Sequence, residues 1–214
     1  MRSYFKQFVM SEKFMVEKIM VGPVFSNCYL FACESERICA VIDPGAEAEL
    51  IKQRIMDLNL KPKCIIVTHG HIDHIGAIGE FNLPVYAGNA DSDYFNNPAK
   101  SLSLFMGDGQ TFKNPSKFLK EGDKVDIGGC FLKVIEVPGH TPGSICLLGD
   151  GILFSGDTLF AGGIGRTDFP DSDGQLLIKM IKEKLLILEE TIKVYPGHGE
   201  ATTIRIEKRN NPFL

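Results

Sequence analysis

Apolar runs bounded by turn residues predict strands at Met15–Val21, Cys28–Ala32 and Ile38–Ile42. Gly22-Pro23 and Glu34-Ser35-Glu36 separate them, and Asp43-Pro44-Gly45 stops the third. The period then changes. Leu50, Ile51, Ile55 and Leu58 recur at helical spacing among charges, which predicts an amphipathic helix over Ala46–Leu58. Cys64–Val67 reads as a short buried strand, Ile75–Glu80 as a short helix and Leu83–Tyr86 as another strand. Residues 89–119 are the least regular part. A short helix is expected at Asp91–Phe95, followed by Pro98, Gly107, Gly109 and Pro115, and so long an excursion is expected to be a substrate-facing flap.

Regularity returns with strands at Lys124–Ile127, Phe131–Val137, Ile145–Leu148 and Ile152–Phe154, joined by tight turns at Gly128-Gly129 and Asp150-Gly151. Gln175–Leu188 is a second long amphipathic helix, Ile192–Tyr195 a last strand and Thr202–Arg209 a last helix. Strands in groups with helices between them predict an α/β or α+β layered fold, with helices on sheet faces. The strand-helix succession occurs twice, which allows two pseudo-symmetric halves. The expected division is an N-terminal extension over 1–13 and one domain over 14–214.

Composition narrows the class. Hydrophobic residues make up 44% and charged residues 23% of 214 positions, as in an ordinary globular chain. The net charge of −4 is spread without blocks, so no footprint for nucleic acid or an anionic membrane is present. No apolar run approaches the roughly 20 residues of a membrane span, and Met1–Phe14 has no signal-type apolar core. The six cysteines form no Cys-x-x-Cys and sit mostly in apolar runs, which fits buried free thiols and a cytoplasmic location.

The candidate chemistry lies at strand ends. Thr68-His69-Gly70-His71-Ile72-Asp73-His74 follows the strand at 64–67 and packs His69, His71, Asp73 and His74 into six residues. His140 follows the strand ending at Val137, Asp157 the one ending at Phe154, and His198 the one ending at Tyr195. Each of the five histidines therefore sits beside glycines after a strand-like run. Neutral imidazole and carboxylate suit zinc, iron and manganese. Seven such groups exceed what one tetrahedral ion uses, so two divalent ions, zinc first and iron or manganese next, are the expected cofactors. Asp157, isolated in sequence, is the candidate bridge. A lone histidine beside glycine is usually a turn residue, but the dense His-x-His-x-Asp-His run has no structural purpose apart from a metal. Asp43 reads as a turn residue that can brace the metal loop.

With these motifs in order the chain resembles the metallo-β-lactamase fold superfamily, over nearly all of its length from about Phe14. The resemblance implies a four-layer αββα sandwich with the metals at one open edge. It implies one ion on His69, His71, His140 and Asp157, and another on Asp73, His74, Asp157 and His198. Asp73, with a metal-bound hydroxide, is the implied catalytic group.

Within the superfamily the chain is similar to glyoxalase II-like proteins. The matching stretches are Thr68–His71, Pro138–Ser144, Ser155–Phe160 and Tyr195–Gly199. Gly165-Arg166-Thr167-Asp168-Phe169 and Asn211-Pro212-Phe213 resemble a short branch. The implied reaction is hydrolysis of a thioester such as S-D-lactoylglutathione by a monomer or homodimer acting on a small molecule. The chain runs about 16 residues past His198, so the glutathione-holding helical domain of full-length glyoxalase II is not expected. Arg166-Thr167-Asp168 replaces the family's glutathione-contacting Lys-x-Tyr segment. Arg166 is thus a candidate for a substrate carboxylate, or else pairs with Asp168 or Asp171.

The rival is a persulfide dioxygenase, which shares Gly-Arg-Thr-Asp-Phe and uses one iron, here on His69, His140 and Asp157. His198 in a full second-metal context favours the hydrolase. Transfer-RNA processing relatives share the histidine run, but the acidic balance of this chain speaks against nucleic acid. An intact ligand set speaks against a scaffold without chemistry.

Overall fold

The computed structural model describes residues 13–106 and 108–214; the expected extension over 1–13 lies outside them except for Lys13. Two six-stranded sheets pack face to face. The first holds β1 (Phe14–Val21), β2 (Ser26–Cys33), β3 (Ile38–Ile42), β4 (Lys61–Val67), β5 (Val85–Gly88) and β6 (Lys117–Leu119), in that spatial order. Its first three strands are antiparallel neighbours and β3 to β6 run parallel. The second holds β7 (Lys124–Ile127), β8 (Cys130–Glu136), β9 (Ile145–Leu148), β10 (Ile152–Gly156), β13 (Lys193–Pro196) and β14 (Thr202–Thr203), in the order β14-β13-β10-β9-β8-β7. Among the described residues, only β10 and β13 pair in parallel there. A small ribbon of β11 (Leu159–Phe160) and β12 (Gly163–Ile164) follows β10.

Alternation along each strand builds the layers. On β2, Tyr29, Phe31 and Cys33 face the second sheet and meet Leu132, Val134 and Phe154. The intervening Cys28, Leu30 and Ala32 face outward toward Ile51 and Ile55 of α1 (Ala48–Asp57). Such a strand is buried on both faces, which is why its sequence reads as one apolar run. The second sheet does the same: Cys146, Leu153 and Val194 turn outward onto Leu177 of α4 (Gly174–Met180) and the π-turn over Ile181–Leu185. Helix, sheet, sheet and helix thus stack as the resemblance implied. Among the described residues no helix is long and apolar enough to cross a membrane.

Several elements depart from the sequence reading. The short helix expected at Ile75–Glu80 begins earlier, as α2 (Ile72–Ile75), so Asp73 and His74 sit on a helical turn rather than in open loop. A separate 3₁₀ turn follows at Ile78–Glu80. The expected helix at Asp91–Phe95 is a 3₁₀ helix over Asn89–Phe95. The remainder of the irregular segment contains α3 (Ser103–Met106) and the edge strand β6. Neither is long enough to show a period in sequence; β6 buries a single side chain, Leu119. Gln175–Leu188 is not one α-helix, because its second half widens to the π-turn. The last helix, α5 (Ile204–Asn210), starts after the two residues of β14. At the turn between β7 and β8, Gly128 and Gly129 both take positive φ (65° and 95°), the conformation that a tight two-residue hairpin requires.

Candidate metal centre

All seven predicted ligand residues come to one edge of the sandwich. The first sheet delivers His69, His71, Asp73 and His74 just past β4. The second delivers His140 after β8, Asp157 after β10 and His198 after β13. Three groups of donor atoms gather there: His69, His71 and His140; His69, His74 and Asp157; and Asp73, His74 and His198.

The spacing suits metal ions. Four ligands at about 2.0–2.1 Å around a tetrahedral ion lie about 3.3–3.4 Å from one another. Here His71 Nδ1 is 3.0 Å and His69 Nε2 3.3 Å from His140 Nε2. His74 Nε2 is 3.3 Å from Asp157 Oδ1, and His198 Nε2 is 3.1 Å from Asp73 Oδ2. Asp157 stands between the groups, with its Oδ2 3.7 Å from His140 Nε2 and 3.6 Å from His198 Nε2. Buried polar atoms normally find partners, yet His74 Nε2 and Asp157 Oδ1 have no hydrogen bond. Both point into the cluster, and both are the atoms an ion would satisfy. Gly197 makes room for them: a Cβ there would lie 2.7 Å from His74 Cε1 and closer still to Asp157 Oδ1.

Surrounding groups turn the donor nitrogens inward. His140 Nδ1 donates to the Arg166 carbonyl at 2.7 Å, which leaves Nε2 as the free lone pair. His74 Nδ1 faces Asp43 Oδ2 at 3.0 Å, which turns its Nε2 into the cluster. Asp43, read from sequence as a turn residue that can brace the metal loop, also accepts from Thr68 N (2.7 Å) and Thr68 Oγ1 (2.6 Å). The His198 loop is tied to the start of β2: Asn27 Nδ2 donates to the Pro196 and Gly199 carbonyls at 2.9 Å each, and Tyr29 Oη to Pro196 at 2.7 Å.

Electrostatics divide the centre. Burial, reinforced by neighbouring imidazoles, holds His69 well below the usual histidine range. Burial above all pushes His71 down to about 3. Both are neutral, as ligands must be. Burial opposes charge on His74 too, but the carboxylates of Asp157, Asp73 and Asp43 outweigh it and raise its pKa. His198 is also raised: the hydrogen bond to Asp73 overcomes burial. Burial works against ionising Asp157 and Asp73, yet His74 holds both below the usual carboxylate range. The Asp73/His74/His198 half therefore draws positive charge onto its own imidazoles in the metal-free protein, the charge that a bound cation would replace.

A cavity of about 350 Å³ opens on the cluster, walled by Leu102, Met106, Phe160 and Phe169 with His71, Asp73 and His198 at its base. Arg166 also lines it. Its guanidinium forms a two-pronged pair with Asp168 (2.9 and 2.6 Å) and lies 4.8 Å from the Phe169 ring, so an exposed ion pair stands at the cavity wall. The expected flap divides in two. Residues 89–101 are a buttress: Ser101 O accepts from Ile72 N at 2.7 Å, and Tyr94 packs against Gly70 and 5.9 Å from the His71 ring. The part around α3 is open, with Leu104 and Phe105 exposed, and so is most of 108–118. Sequence reasoning missed Asp91, a buried carboxylate bonded to both the His69–His71 and the His140 loops. The signal available was its place after β5, another strand end that delivers a carboxylate.

The sequence profile of the Metallo-beta-lactamase superfamily matches residues 21–198. The chain is similar to the hydroxyacylglutathione hydrolase GloC of Haemophilus influenzae, 39% identical over 207 residues that cover 93% of this chain and 97% of that one. Among solved structures it is similar to the BLEG-1 B3 metallo-beta-lactamase (TM-score 0.88, 36% identity, 94% of this chain and 99% of that one). It is also similar to TTHA1623 in a di-iron-bound form (TM-score 0.83, 33% identity, 92% of this chain and 100% of that one).

Proposed function

The chain belongs to the metallo-beta-lactamase superfamily, and from that premise we propose that it is a two-metal hydrolase of hydroxyacyl thioesters of the S-D-lactoylglutathione kind. The observation that carries the reading is the gathering of three donor groups around Asp157, whose oxygens lie 3.3 Å from His74, 3.7 Å from His140 and 3.6 Å from His198, with His74 Nε2 and Asp157 Oδ1 left for ions to satisfy. In this reading His69, His71, His140 and Asp157 hold one ion, and Asp73, His74, Asp157 and His198 hold the other. The donor set accepts zinc, iron or manganese, and we assign zinc.

Bound ions supply Lewis-acid polarisation of the thioester carbonyl and bring the pKa of bound water to about 7. The chain's own groups do the rest. Asp73 lines the cavity and offers a carboxylate oxygen that can take a proton from the attacking water. His69 and His71, kept neutral by burial, keep their lone pairs for binding at neutral pH. Leu102, Met106, Phe160 and Phe169 hold the acyl-thioester portion and exclude water. The leaving thiol has a pKa of about 8.5, so it departs without a strong acid to protonate it. That suits a cavity whose lining, among the described residues, contains no lysine or tyrosine. The similarity to GloC, a hydroxyacylglutathione hydrolase by name, supports the same substrate class.

The test joins elemental analysis to a substrate panel of S-D-lactoylglutathione, simpler thioesters, β-lactams and glutathione persulfide. The expected result is about two ions per chain and thioester cleavage without oxygen uptake. A single iron per chain with oxygen consumed on the persulfide would overturn the proposal in favour of the dioxygenase. Turnover of β-lactams alone would overturn the substrate assignment.

A further inference from the structure

Three hydrogen bonds that hold the ligand loops in place end on one carboxylate, which the mechanism above leaves out. Asp91 lies on the 3₁₀ helix after β5 and is 1% exposed. Its Oδ2 accepts from Gly70 N at 2.9 Å and from Thr141 Oγ1 at 2.7 Å. Its Oδ1 accepts from Gly143 N at 2.6 Å. Gly70 stands between His69 and His71, and Thr141 follows His140 directly. The carboxylate therefore ties a loop of the first sheet to a loop of the second at the ligands themselves. One step further away a backbone bond from Ile145 N to the Thr68 carbonyl (2.8 Å) joins the same segments.

The fit is close and chemically specific. All three partners donate, which matches an ionised, acceptor-only carboxylate. Thr141 Oγ1 also lies 2.7 Å from Ser144 Oγ, so the Ser144 hydroxyl can donate to Thr141 while Thr141 donates to Asp91. A Cβ on Gly143 would come within 2.7 Å of Asp91 Oδ1, and one on Gly70 within 2.8 Å of Tyr94 Cγ on the same 3₁₀ helix. The backbone can approach the carboxylate only because these positions are glycine. The other half of the centre is braced by different groups. Ser26 Oγ donates to the Asp73 carbonyl at 2.7 Å, Asp43 faces His74, and Asn27 holds the His198 loop.

We propose that Asp91 is a positioning residue for the three-histidine half of the metal centre. Its carboxylate sets the separation of the His69–His71 loop from the His140 loop. It thereby sets the affinity of that half for a metal ion, and it does not set the affinity of the half built on Asp73, His74 and His198. The proposal rests on the two-metal reading above, and its test separates the two.

Metal-free wild-type and Asp91→Asn proteins are titrated with Zn²⁺ by calorimetry, with uptake checked by elemental analysis. Asparagine keeps the shape but turns one acceptor oxygen into a donor that faces donors. The expected result is a loss of roughly 10–100-fold in affinity at one of two sites, as changes around metal ligands typically give, with the other site within about twofold. Excess Zn²⁺ restores kcat while KM for thioester stays unchanged. Thr141→Val removes one of the three bonds to Asp91, together with the Thr141–Ser144 bond, and repeats the selectivity at smaller size, which keeps the test decisive should Asp91→Asn fail to fold. A merely structural role would lower the thermal midpoint and weaken both sites alike. That result, or no weakening at either site, overturns the proposal. If the wild-type chain takes up one ion only, the two-metal reading falls. The role of Asp91 then stands only if Asp91→Asn weakens that ion at least about tenfold.

Discussion

Replacing Gly197 by alanine places a methyl group inside the metal centre. The added carbon would lie 2.7 Å from His74 Cε1, where carbon atoms in contact normally keep about 3.5 Å. The His74 ring must therefore retreat by about 0.8 Å, and Asp157, which is closer still, by more. Metal-ligand distances tolerate about 0.2 Å. The displacement is thus about four times the tolerance, and it falls on the carboxylate shared by both proposed ions. Outer-shell changes cost about 10–100-fold in affinity; moving two ligands should reach the upper end at both sites, about 2.7 kcal/mol each by the tenfold rule. The assay is a Zn²⁺ titration of the metal-free variant, with its thermal midpoint recorded alongside. Wild-type affinity at both sites would refute the geometry. Loss at one site alone would refute the shared position of Asp157.

The remaining predictions concern the same centre. Asp157→Ala should remove both ions and His198→Ala should weaken one, measured as metal per chain after dialysis; equal losses in the two variants would contradict the bridge. Asp43→Ala strands Thr68 N, Thr68 Oγ1 and His74 Nδ1 without their acceptor. A stability loss of about 3 kcal/mol or more is expected in urea unfolding of the metal-free form, since each orphaned buried donor costs about 1–3 kcal/mol. The metal-free protein should also lose stability as the pH falls from about 6.5 toward 3. Burial holds folded His69 well below 6.5 and folded His71 at about 3, so the unfolded chain binds more protons in that window. His74 and His198 are raised in the folded state, so their contribution is already complete below 6.5 and does not reverse the slope. A flat urea midpoint across that range would show that these rings are not held neutral.

Much of this was legible before folding. His69-x-His71-x-Asp73-His74 carries its chemistry in adjacent residues, and the strand-end rule placed His140, Asp157 and His198 at the same sheet edge. The burial of Cys64–Val67 in β4 was equally plain, because a strand covered on both faces shows as an unbroken apolar run. What escaped depends on the chain returning to itself. Asp91 heads the short helix expected within an irregular stretch, where an aspartate in the first turn reads as part of the helix start, and its partners Gly70 and Gly143 lie 21 and 52 positions away. Strand β6 and helix α3 are too short to display a period. The π-turn at Ile181–Leu185 keeps an apolar pattern close to that of an α-helix, so the sequence reads through it. For Arg166 the sequence offers a substrate carboxylate or a neighbouring aspartate, and that the aspartate it pairs with is Asp168 rather than Asp171 is visible only in the side-chain placement.

The division of the ligands between the two sheets bears on how the protein comes apart. Each proposed ion takes donors from both: His69 and His71 with His140, and Asp73 and His74 with His198. Neither site can exist until the sheets have docked, and neither can survive their separation. A contact made so late is absent from the folding barrier, and stabilisation of that kind slows unfolding while leaving the folding rate alone. An ion at 100 times its dissociation constant adds about 2.7 kcal/mol, a factor of about 100 in unfolding rate for each site. A bound metal would thus act as a bolt through the sandwich, slowing unfolding for as long as it stays in.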